Sequence, residues 1–81
     1  MLYYVFEMQD GAVLSQAFNR EQLENGEAIS NFYSRCASAA ISPVRRHTIM
    51  LVDDKGNNAV LPNGVTVYPA TFEHEQTNQG T

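Results

Sequence analysis

Apolar residues recur along this chain first with a period of two, then with a period near 3.6, then in short runs broken by turn-forming residues. From Leu2 to Met8, Leu2, Tyr4, Phe6 and Met8 share one side and Tyr3, Val5 and Glu7 the other, in a segment rich in β formers. Asp10-Gly11 is a two-residue hairpin signal that returns the chain through Ala12 to Phe18. With that turn Met8 faces Val13, Phe6 faces Ser15 and Tyr4 faces Ala17, large residues against small ones, which makes a surface on which a helix can lie.

The stretch from Asn25 to Ser42 carries the helical period. Ile29, Phe32, Tyr33, Cys36, Ala37 and Ala40 fall on one stripe, and Glu27, Asn31, Ser34, Arg35 and Ser38 fall on the opposite, solvated side. Upstream, Asn19 and Gln22 have capping-box spacing, with Phe18 and Leu23 placed to form the flanking staple. A single helix running through would turn Leu23 about 180° from Phe32, so the pattern predicts a short turn at 20–24, a break at Asn25-Gly26, and then the main helix. Pro43 ends it by Ile41 or Ser42.

Beyond the helix, Thr48–Val52 is apolar on both sides, as an interior strand is. Asp53-Asp54-Lys55-Gly56-Asn57 is turn composition, and the short runs Ala59–Leu61 and Val65–Tyr68 are separated by Pro62-Asn63-Gly64, with Pro62 confining the first to a short or edge strand. From Phe72 onward the apolar pattern stops, giving a single domain over 1–71 and a loose polar tail over 72–81. These elements predict an α+β fold, a two-layer sandwich of ββαββ(β) order in which an antiparallel sheet of four to five strands carries one main helix on one face. One helix covers one face only. Tyr3, Val5 and Leu14 are therefore expected on the other, as a contact surface for a protein partner or a symmetric homodimer.

Composition narrows the function classes. In 81 residues, 43% hydrophobic and 17% charged, one globular domain fits and a disordered tail-like chain does not. Nine carboxylates against five Lys and Arg give a net charge of −4, without the basic excess that drives binding to phosphate backbones, so no nucleic-acid partner is expected. A single cysteine cannot build a disulfide framework, no run is apolar over the ~18 residues of a membrane span, and the N-terminal stretch lacks a basic n-region. The expectation is a cytoplasmic protein that does not associate with membranes.

Candidate chemistry is sparse. Cys36 and His47 are the residues from which a nucleophile pair would be built, but Cys36 sits mid-helix on the apolar stripe, far from a helix N-terminus that would activate it. Arg45, Arg46 and His47 could together hold an anion or a partner's carboxylate; as charges entering a strand they also read as a guarded edge. Asp53–Asn57 has the composition of a calcium loop without its spacing, and Glu73-His74-Glu75 would bind a metal only adventitiously. P-loop, dinucleotide, HExxH and Gly-x-Ser-x-Gly patterns are missing. No catalytic residue, cofactor or metal is assigned. The sequence reads as a small non-enzymatic protein-binding module, of the kind phage and mobile elements use to inhibit host machinery, including CRISPR interference. An accessory homodimeric subunit is the alternative, and a small Cys/His enzyme a remote one.

Overall fold

The computed structural model describes residues 1–74. Strands β1 (Tyr3–Gln9) and β2 (Ala12–Phe18) form the hairpin around Asp10-Gly11, followed by helices α1 (Arg20–Glu24) and α2 (Glu27–Ile41) and strands β3 (Arg46–Asp53) and β4 (Ala70–Glu73). All pairings are antiparallel and the four-stranded sheet runs in the order β2-β1-β3-β4, with α2 laid over β1 and β3. This is an α+β two-layer sandwich. The hairpin register matches the turn: Met8 opposes Val13, Phe6 opposes Ser15 and Tyr4 opposes Ala17. Gly11 takes the left-handed φ of 76° that the tight connection requires.

Local signals set the helix starts. The Asn19 side chain accepts from the Gln22 N–H and the Gln22 side chain from the Asn19 N–H, a complete capping box, and Phe18 and Leu23 are both buried beside it. Gly26, at φ 93°, turns the chain between the helices, while the Asn25 side chain accepts from the Glu27 N–H. Ser42, extended ahead of Pro43, closes α2.

The faces of the sheet are the reverse of the expected ones. Tyr3 and Val5 are buried against the helices, in one core with Phe18, Leu23, Ala28, Phe32, Ala39, Ile49 and Leu51. Tyr4, Phe6 and Met8 lie on the open side and are only half-buried. Leu14 opposes Glu7, so it shares the helix-side face, but it stays exposed at the β2 edge. The helix is rotated correspondingly: Ala28, Phe32 and Ala39 are buried, whereas Tyr33 is 63% exposed and Ala37 and Ala40 face outward. Small residues at 28 and 39 let α2 approach the sheet closely, and Arg35, expected in solvent, turns toward the sheet to meet Glu7.

The segment after β3 forms fewer strands than its apolar runs suggest. Ala59–Leu61 and Val65–Tyr68 make only isolated bridges, Val52 with Asn58 and Val60 with Thr66, with Ala59 donating to the Leu51 carbonyl and Val67 to the Ala59 carbonyl. Ala59 and Val67 are nevertheless buried, so this loop closes one end of the core. The fourth strand lies beyond it, across the expected boundary at 71. Phe72 packs against the core and Glu73 pairs with Arg46. His74, assigned to the tail, donates its N–H to the Arg45 carbonyl and sets Nε2 3.0 Å from the Ala39 carbonyl. The remainder of the expected tail, with Glu75, lies outside the described residues.

Candidate functional site: a buried polar network and an open sheet face

On the helix-covered face, Glu7 and His47 are the buried carboxylate and imidazole among the described residues. Both come from interior strands, where alternation turns residues 7 and 47 toward α2. Glu7 Oε2 lies 3.0 Å from His47 Nδ1 and accepts from Gln9 Nε2, while Glu7 Oε1 accepts from Arg35 Nη1 at 3.0 Å. Arg35 is held in turn by Asn31 and Gln16, since Nε donates to Asn31 Oδ1 and Nη2 to Gln16 Oε1. His47 Nε2 sits 3.1 Å from Ser42 Oγ. The network thus joins β1, β2, β3 and both ends of the second half of α2, and it satisfies a carboxylate that burial would otherwise penalise heavily.

Ser42, His47 and Glu7 stand in the order nucleophile, base, orienting carboxylate. Three features of the surroundings oppose that use. Ser42 is the C-cap of α2, the carbonyl end of the helix dipole, where a developing oxyanion is disfavoured. Its Oγ already accepts from the Val44 N–H, which fixes it as a turn-forming group, and Glu7 divides its charge between His47 and Arg35. The arrangement does what a buried polar cluster does well: it fixes how the helix is rotated on the sheet.

The expected anion site at Arg45, Arg46 and His47 is dispersed. His47 turns inward, Arg46 pairs with Glu73 at 3.5 Å on the surface, and Arg45 is exposed. Cys36 is half-buried, and burial pushes its thiol up; no hydrogen bond links it to His47. Among the described residues no group of His, Cys, Asp and Glu is arranged to hold a metal ion.

The open face is of a different kind. Tyr4, Phe6 and Met8 of β1 stand beside Met50 of β3 and Val13 and Ala17 of β2. The Tyr4 and Phe6 rings stack at 5.9 Å. Toward β4 the surface continues in hydroxyls, with Thr48 Oγ1 3.1 Å from Thr71 Oγ1, and its charges are the Arg46–Glu73 pair at one corner. Both helices lie on the opposite face. Sequence alternation alone could not choose between the two faces of β1, because both are apolar. The signal that decides is Glu7: it shares a face with Tyr3 and Val5, and Arg35 and His47 are available to partner it. No helix among the described residues is long and apolar enough to cross a membrane. No family model, curated protein or solved structure matches this chain.

Proposed function

We propose that this chain is a non-catalytic protein-binding module whose contact surface is the open face of its sheet. The observation that carries this reading is the placement of Tyr4, Phe6, Met8 and Met50, partly exposed side by side on one face of the sheet, while the helices cover the other face. Stacked aromatics and methionines of this kind make adaptable, energetically productive contacts, and a partner with a matching apolar patch is the chemistry they fit. Small size, acidity and the structural use of Ser42, His47 and Glu7 support a role by occupancy of a partner, of which inhibition of host machinery by a mobile element is the narrower form.

Phe6→Lys and Met50→Lys place a charge at the centre of this surface and leave the helix side untouched. Each variant is expected to keep the wild-type circular dichroism spectrum and to lose a partner that wild type retains from extract, with the purified partner then binding at least about tenfold more weakly in titration calorimetry. A partner bound equally by wild type and both folded variants would sink the proposal.

A further inference from the structure

The two edges of the sheet are treated very differently. β4 is short, follows Pro69 and ends at the charged Glu73, while the other half of the same side of β3 is occupied by residues 57–59. These are the devices by which sheets discourage further pairing. β2 has none of them: seven residues, Ala-Val-Leu-Ser-Gln-Ala-Phe, with no charge, no proline and no bulge, all but Phe18 exposed.

The groups this edge offers follow from the hairpin. A two-residue connection makes Gln9 and Ala12 a hydrogen-bonded pair, and alternation then directs the N–H and C=O of Ala12, Leu14, Gln16 and Phe18 to β1. Those of Val13, Ser15 and Ala17 point outward. A strand offering the same three residues in antiparallel order satisfies them all, and β2 of a second copy does so about a two-fold axis through Ser15. Ser15 then opposes Ser15, Val13 opposes Ala17, and Leu14 opposes Gln16.

Charge selects the same register. Beyond the strand, Asp10 lies at one end and Arg20 at the other, and Asn19 between Phe18 and Arg20 is still extended. The register that sets Ser15 on Ser15 brings the Asp10 end of each β2 to the Arg20 end of the other. Arg20 already holds Glu24 at 3.2 Å through Nε and the Tyr3 hydroxyl at 3.3 Å through Nη1, which uses two of its five guanidinium N–H donors.

We infer that β2 is a self-association edge, pairing antiparallel with β2 of a second copy of this chain to give one continuous sheet in the order β4-β3-β1-β2-β2-β1-β3-β4. The two-fold is perpendicular to the sheet, so the helices of both copies stay on one side and the two open faces merge into one. This contact is distinct from the open-face reading: Phe6→Lys leaves it intact.

Sedimentation velocity on the whole chain tests it. An edge contact buries less than a standard interface, so wild type is expected to pass from monomer to dimer between roughly 10 µM and 1 mM. Ser15→Pro removes the outward N–H at the centre of the pairing and is expected to be a folded monomer throughout. Ser15→Lys and Ser15→Glu, whose side chains stand on the open face, each weaken the dimer about fivefold by setting like charges opposite each other, and their equimolar mixture associates more tightly than either alone. A wild-type monomer up to about 1 mM overturns the inference. So does a dimer unaffected by Ser15→Pro in a folded chain, or a Lys/Glu mixture no tighter than its components. If Ser15→Pro does not fold, the charge pair decides.

Discussion

The Glu7 side chain is only 10% exposed, and both of its carboxylate oxygens are occupied by hydrogen-bonding partners. Arg35 supplies one of them, and replacing it by a residue of similar length leaves the carboxylate buried and under-compensated. Arg35→Met is therefore expected to destabilise the fold by about 2–4 kcal/mol in urea unfolding, and Glu7→Gln in the same chain to recover part of that loss. Ser42→Ala removes the contact to His47 Nε2 and the acceptor of Val44, with an expected cost of about 1 kcal/mol and no loss of partner binding. Cys36 belongs to the core fringe. With its thiol pushed up by burial, the native protein carries less thiolate at neutral pH than the unfolded chain, so labelling by a thiol reagent should accelerate on unfolding. Labelling equally fast in both states would contradict this placement.

Among the elements, those made by neighbouring residues were the legible ones. The hairpin needed only Asp10-Gly11 and alternation, and α1 only the pairs Asn19–Gln22 and Phe18–Leu23. Asn19→Ala is expected to cost about 1 kcal/mol for that reason. The rotation of α2 was only partly legible from its own apolar positions: Ile29, Phe32 and Cys36 of the expected stripe do meet the core, but Tyr33, Ala37 and Ala40 fitted that stripe as well as Ala28 and Ala39, which are the residues buried in their place. The tie from Arg35 to Glu7, distant in sequence, breaks the degeneracy. The turn after β3 has a pH signature of its own. Asp53 Oδ1 accepts from the Asn57 and Lys55 N–H groups, which holds its carboxyl below the usual range. A carboxyl depressed in the folded state stabilises above its unfolded pKa, and that stability is lost as pH falls through the folded value. Between about pH 5 and pH 2, the unfolding midpoint of wild type should fall more than that of Asp53→Asn.

For the whole molecule, the end of β4 acts as a clasp. His74 reaches the Ala39 carbonyl at the C-terminal end of α2, and its N–H reaches Arg45, so the last described residues join the helix to the chain entering β3. The polar composition after Phe72 concealed this, because the contact uses backbone and imidazole hydrogen bonds. Removing the chain from Glu73 onward is expected to lower stability by about 1–3 kcal/mol, most of it from the His74 bonds, since the exposed Arg46–Glu73 pair contributes little. An unchanged melting temperature would show the clasp to be inert. The open face and the β2 edge belong to this scale as well: among the described residues, the two helices lie on one face of the four-stranded sheet and β4 on the edge opposite β2.

The tie between Glu7, Arg35 and His47 also bears on the order of events in time. Its members are separated by 28 and 40 positions in sequence, so it cannot close until β1, α2 and β3 have assembled. The hairpin and α1 rest on local contacts and are available early, while charges desolvated before their partners arrive would raise the barrier. Closure of the tie therefore falls on the native side of the transition state. Arg35→Met should then show its effect almost wholly as faster unfolding, with the refolding arm of the chevron nearly unmoved, whereas Asn19→Ala should slow refolding by comparison.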